Sequence, residues 1–235
     1  MTSKKTSPRW RQAVVWLHVV SSVAWMSQAL GLVVLMTLAA SDPGQAAAAT
    51  SMAQRIDNVL LAPMANAAAF TGLVLAGSTA WGYFRRWWVL AKFVLTFAQL
   101  YAGIFLLSGA LHDSAAAARA GAADVVAWPQ IAGTALMASV LAFQVWLSVA
   151  KPWKRTSWSP AAKPPTAPTW VFAVGVFTPL ADVTIGVFWG RPLPALSLIM
   201  LVVLLGFEQR RRRRRARRPT ARSPRSVPAA SSPTV

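Results

Sequence analysis

The chain has 235 residues, 55% of them hydrophobic and only 13% charged, with twelve Trp and a mean hydropathy of +0.45, a composition that suits a membrane protein rather than soluble domains. It has no cysteine, which excludes disulfide frameworks, thiolate metal sites and cysteine nucleophiles. The formal net charge of +18 belongs largely to one end, because ten of the 24 basic residues lie between Arg210 and Arg225.

A hydrocarbon core about 30 Å thick needs roughly 20 apolar helical residues at about 1.5 Å each. After a basic N-terminus at 1–12, four segments satisfy this: 13–40, 59–82, 87–111 and 126–150. They form an expected four-helix transmembrane core over 13–150. The first could also be read as a cleaved signal peptide, but its apolar run is too long for a leader's central region. A Pro/Lys-rich loop at 151–168 follows, then two weaker segments over 169–207: 169–189, which contains Pro179 and Asp182, and 193–207, which is short and dense in Leu, Val and Ile. The reading is all-α, a polytopic bundle of six helices; the fallback is four helices with a re-entrant or interfacial C-terminal hairpin. Trp residues at the segment ends, such as Trp10, Trp81, Trp87, Trp88, Trp128 and Trp189, resemble interfacial belts.

The loops choose between topologies, since basic residues accumulate on the cytoplasmic side of short loops. Lys4, Lys5, Arg9 and Arg11 precede the first segment, Arg85 and Arg86 separate the second and third, Lys151, Lys154, Arg155 and Lys163 the fourth and fifth, and the Arg run follows the sixth. The alternate loops carry only Arg55, Arg119 and Arg191, together with Asp42, Asp57, Asp113 and Asp124. Six helices with both termini cytoplasmic, in a plasma membrane, follow.

Four segments carry polar residues at helical spacing. At 100° per residue, Lys92, Thr96, Gln99 and Gly103 share one face, as do His18, Ser21, Ser22, Trp25 and Gln28 on the first, Gln130, Thr134, Gln144 and Ser148 on the fourth, and Gly175, Thr178, Asp182 and Gly186 on the fifth. Counting the rise from each cytoplasmic end places His18, Lys92 and Gln144 in an inner layer and Gln99, Asp182, Gln28 and Asn66 near or beyond the midplane. Lys92 has two readings: its ammonium snorkels to the cytoplasmic interface, or it stays inside, lining a cavity or paired with Asp182. Asp182 is too short to snorkel, so it must be protonated, paired, hydrated or functional, and Pro179 frees a nearby carbonyl. Asp182, Gln99, Lys92, His18 and Gln144 are thus the candidate intramembrane polar site. For the Gln, Ser and Thr residues, interhelical hydrogen bonding is the plainer reading.

His18 near the cytoplasmic side and His112 at the outer end lie on opposite faces, so they cannot ligate one metal or one haem, and a bis-histidine cytochrome would need ligands from another chain; neither a catalytic triad nor a phosphate loop is evident. No catalytic residue, metal site or cofactor is assigned. Met26, Met36, Met64 and Met137 are possible copper ligands, though scattered Met in apolar helices is usually packing. The tail 208–235 is low in complexity and reads as disordered. Arg210, Arg211, Arg212, Arg213, Arg214 and Arg215 are expected to contact anionic lipid headgroups, ahead of nucleic acid or a membrane protein partner.

The stretches "WLHVVSSVAWMSQAL" and "WGYFRRWWVLAKFVLTFAQLYAGIFLL" resemble a family of actinobacterial multi-pass membrane proteins with a Leu-His-Val first helix and a W-G-x-F-R-x-x-W-V-x-x-K start to the third. His18, Trp81, Arg85, Trp88 and Lys92 carry the resemblance, which covers roughly the first 110 residues. A looser similarity to copper-resistance-D-type membrane domains is confined to Trp-Leu-His-Val. The resemblance implies a four-helix core in a bacterial plasma membrane and no particular activity. The function expected from the residues is that of a non-enzymatic accessory or assembly component. The alternative is a small permease or proton-coupled transporter built around Asp182 and Gln99, and a weaker third is copper handling. A water-accessible cavity joining Asp182 to Gln99 would discriminate the first two.

Overall fold

The computed structural model describes residues 8–79, 81–122, 125–159, 166–189 and 194–216. Those residues form six helices: α1 (Pro8–Ser41), α2 (Ala46–Ser78), α3 (Trp87–Arg119), α4 (Trp128–Ala150), α5 (Thr169–Trp189) and α6 (Ala195–Ala216). Helices are what an apolar chain must form in lipid, because each backbone N–H and C=O then finds its partner within the segment. Five are long and apolar enough to cross a membrane, and the apolar part of α6, Ala195–Phe207, is shorter.

The helix ends differ from the hydropathic boundaries. α2 and α3 are each 33 residues, about 50 Å, well beyond the thickness of a hydrocarbon core. The second segment therefore begins at Ala46 rather than 59, and the third runs to Arg119 rather than 111. Both extensions are rich in alanine, the best helix former, which hydropathy scores weakly. Ala39, Ala46 and Ala49 pack with Ala118, Val125 and Val126 to close this end of the bundle. At the other extreme, α6 stays helical to Ala216, past the expected start of disorder at 208, because arginine also favours helix. The side chains of Arg210 to Arg215 and residues 217–235 lie outside the described residues, and with them the expected lipid contacts.

α2 and α3 each contain one widened π-turn, at Asp57–Leu61 and Ala102–Leu107. Proline explains the first. Pro63 has no N–H for the carbonyl of Val59 and its ring would press against it, and the extra residue in the preceding turn relieves both. The second includes Gly103 and no proline.

α1 is the hub, packing along α2, α4 and α5; α3 closes the bundle against α4 and α2, and α6 lies on α5 and α2. Trp25, Ala29, Leu32 and Met36 of α1 meet Leu61, Ala65 and Ala68 of α2 and Met137 and Leu141 of α4 in the main core. A second cluster seats α5, with Phe172 and Val171 against Val14, Phe70 and Val74. Gly175 permits the approach, since a Cβ there would stand 3.1 Å from both Val14 Cγ2 and Val74 Cγ1. Without a hydrophobic drive in lipid, such small-residue contacts hold helices together.

The turn at 81–86 and the segment at 151–159 meet at one end. Thr156 donates its N–H to Arg85 O at 3.1 Å and its hydroxyl to Phe84 O at 2.7 Å. Arg86 and Lys151 lie over the Trp81 ring, 4.9 and 5.4 Å from its centroid. The two basic loops therefore share one face, which is called the basic end below.

Candidate functional site

The polar stripes of α3 and α4 face each other and are joined rung by rung. Lys92 Nζ donates to Ser148 Oγ at 2.7 Å, and Thr96 Oγ1 donates to Gln144 Oε1 at 3.0 Å. Gln144 Nε2 donates to Gln99 Oε1, and Gln99 Nε2 donates to the carbonyl of Met137 at 2.9 Å. The step of four from Lys92 to Thr96 meets a step of four from Ser148 back to Gln144, as the antiparallel register of two 3.6-period stripes requires, and Gln99, three residues farther on, bridges Gln144 and the Met137 carbonyl. Gln99 and Gln144 are both buried. The two depth layers inferred from helical rise are thus linked directly, because a glutamine side chain spans the interval between them.

Lys92 is half-buried, and Ser148 lies nearer the basic end of the bundle than Lys92 does, about 3 Å against about 7 Å along the axes. Its ammonium therefore leans toward that end, as snorkelling expects, and meets a hydroxyl on the way.

His18 belongs to a different seam. Its Nδ1 lies 2.9 Å from Ala68 O and 3.2 Å from Thr71 Oγ1, which ties α1 to α2. The ring lies over Gly72, where an added Cβ would come to 3.0 Å from His18 Cε1. Ser21 turns back onto its own helix, donating to Leu17 O at 2.7 Å. Farther along the same face, Trp25 Nε1 and Gln28 Oε1 are buried without a protein partner.

Asp182 caps a helix. Its Oδ1 accepts the N–H of Leu196 at 3.0 Å and its Oδ2 accepts that of Ser197 at 2.8 Å. These are first-turn donors of α6 that have no partner inside their own helix, and the carboxylate also sits at the positive end of the helix dipole. No ion pair joins Asp182 to Lys92. The candidate residues thus divide among three seams: Lys92, Gln99 and Gln144 between α3 and α4, His18 between α1 and α2, and Asp182 between α5 and α6.

Two small cavities bear on the discriminating question. One of about 10 Å³ touches Asn66, Asp182 and Ser197. Another of about 30 Å³ lies toward the opposite end of the bundle, lined by Met36, Asp57, Ser108, Gln130, Thr134 and Met137 among others. Gln99 lines neither. Asp57 is the residue that reading the sequence missed: placed in an outer loop, it is instead a buried member of α2, 8% exposed, with Ser108 Oγ donating to its Oδ2 at 2.9 Å. The available signal was Pro63 together with the alanine run before it, which extend the helix and widen its turn at Asp57. Met36 and Met137 meet at this cavity, whereas Met26 and Met64 pack at the margin of the core. Among the described residues, no group of three or more His, Asp or Glu is placed to hold a metal ion.

No protein-family model, curated protein or solved structure matches the chain.

Proposed function

We propose that the protein is a non-enzymatic accessory or assembly component of a bacterial plasma membrane, spanning it with both termini on the cytoplasmic side, and that its intramembrane polar residues hold helices together. One observation carries this reading: each of the five candidate residues has a protein partner across a helix seam, whether side chain, backbone carbonyl or helix N-terminus. Groups engaged in this way are interhelical glue before they are ligands for a solute. The meeting of the two basic loops at one end supports the orientation, since the charge bias then applies to one surface. The shorter apolar length of α6 and the Arg run beyond it suit a helix held at an anionic lipid surface.

The permease reading ranks second, because the cavity that touches Asp182 is not lined by Gln99. The test compares solute accumulation in cells carrying the intact protein, no protein, or the Gln99→Leu and Gln144→Leu double variant. The accessory reading expects intact and doubly substituted protein, at equal membrane abundance, to give the same solute profile. A double variant that inserts at wild-type abundance yet changes the level of one solute would overturn it.

A further inference from the structure

The ladder between α3 and α4 leaves one polar layer unused, and it lies at the end opposite the basic loops. Asp57 stands about 31 Å along α2 from Ser78, and Ser108 about 31 Å along α3 from Trp87. Both are at the level where hydrocarbon gives way to water. Here the two π-turns come together: Asp57 and Leu61 from the first, and Gly103 and Leu107 from the second, all line the cavity of about 30 Å³. π-turns are rare and concentrate at functional sites. Pro63 accounts for the first, and the second, which has no proline, widens the neighbouring helix beside the same buried carboxylate.

The Asp57 carboxylate is sparsely partnered. Among the described residues the sole donor to the Asp57 carboxylate is Ser108 Oγ, and no basic side chain forms an ion pair with it. Burying a lone carboxylate is costly unless a positive charge or a proton accompanies it. Of the titratable groups on the surrounding elements, His112, one turn beyond Ser108 on α3, acts on Asp57 through space without forming an ion pair with it, and the others are exposed or engaged elsewhere. His112 on α3 is exposed and holds Ser108 O at 2.7 Å through Nδ1. Arg119 Nε donates to Ala115 O at 2.9 Å, and Asp42 is taken up by Gly44 N and Gln45 Nε2. Arg55 and Asp113 are exposed. α4 contributes Gln130 and Thr134 to the cavity and no charge.

Size and charge define the guest. A volume of this order admits an ion with one or two waters and excludes an organic substrate. One carboxylate balances one positive charge, so a divalent ion would leave an unneutralised charge in a largely apolar chamber. The nearby ligand atoms are hard oxygens: the carboxylate of Asp57, the hydroxyl of Ser108, the Thr134 hydroxyl, whose proton goes to Gln130 O at 2.9 Å and leaves its lone pairs, and the Gln130 amide oxygen, which also accepts Ser114 Oγ at 2.9 Å. We propose that Asp57, Ser108, Gln130 and Thr134 form a site for an exchangeable monovalent cation, a proton or a sodium-sized ion, taken up from the side opposite the basic loops.

The test uses the full chain purified in detergent and follows its melting temperature. In one arm the pH is raised from about 5 to about 8 in sodium-free choline buffer; a proton held by the folded state stabilises it at low pH, so the melting temperature should fall as the pH rises. In the other, sodium replaces choline at fixed ionic strength and about pH 8, and a bound sodium should raise the melting temperature by about 3 °C or more per tenfold increase above half-saturation. Wild type and His112→Gln should each show at least one response and Asp57→Asn neither; with the imidazole removed, the first arm responding alone assigns the proton, the second assigns sodium, and a pH response lost in His112→Gln with no sodium response would overturn the site. Parallel wild-type and Asp57→Asn curves in both arms would overturn the site. Should Asp57→Asn not fold, Ser108→Ala serves instead: removing the one donor to the carboxylate should shift the midpoint of the response, and an unmoved midpoint would equally overturn it.

Discussion

The carboxylate of Asp182 on α5 accepts the backbone N–H of Ser197 on α6 at 2.8 Å, with Leu196 N–H on its other oxygen at 3.0 Å. This contact fixes the shorter helix to the bundle and removes Asp182 from the set of free charges. Asp182→Ala should destabilise the protein by about 1 to 3 kcal/mol, since two helix-terminal donors lose their acceptor in a buried setting. Asp182→Asn keeps one acceptor and should cost less. Thermal unfolding in detergent measures both, and equal losses for the two variants would contradict the capping role.

Lys92 and Asp182 should behave independently. Their partners are Ser148 on one side and the start of α6 on the other. In the double change Lys92→Met with Asp182→Asn, the stability losses should add to within about 0.5 kcal/mol. A recovery well above about 1 kcal/mol would mean that the two charges pair.

Glycine substitutions separate contact from open space. A Cβ at Gly175 would press on Val14 and Val74 at 3.1 Å, and both neighbours are β-branched side chains with little rotamer freedom. Gly175→Ala should therefore cost about 1 to 3 kcal/mol and loosen α5. Gly31 has nothing within 4 Å of its would-be Cβ, so Gly31→Ala should be neutral or stabilising by up to about 1 kcal/mol. Melting temperatures of the two variants check the contrast.

The absence of cysteine makes topology directly measurable. Single cysteines at Ala122, in the exposed turn after α3, and at Ser157, in the exposed segment after α4, mark opposite ends. An impermeant thiol reagent applied to intact cells should label Ala122→Cys and spare Ser157→Cys until the membrane is opened. The reverse pattern would invert the orientation drawn from the charge bias.

The number of helices was legible because apolar length is set by the bilayer, and 169–189 coincides with α5. Helix ends were less so, because the alanine-rich turns beyond the hydrocarbon are helical by propensity while hydropathy marks them as loops. The α3 and α4 stripes were visible as faces, yet their register was not, since a stripe does not say which rung meets which. The role of Asp182 was hidden for a similar reason: its partners are backbone N–H groups of another helix, which no side-chain pattern encodes. Asp57 required knowing that the chain around it is helix, and Pro63 was the clue.

The central claim, that the interior polar groups close the bundle by holding one another, is tested most directly by a double-mutant cycle on Gln99 and Gln144. Each single change to leucine strands a buried amide opposite an apolar side chain and should lower stability by about 1 kcal/mol or more. The double change removes both amides at once and should recover part of the loss, giving a coupling of roughly 0.6 to 1.7 kcal/mol in thermal unfolding. Losses that simply add, with coupling below about 0.3 kcal/mol, would mean that the two glutamines do not hold α3 to α4 and would contradict the account.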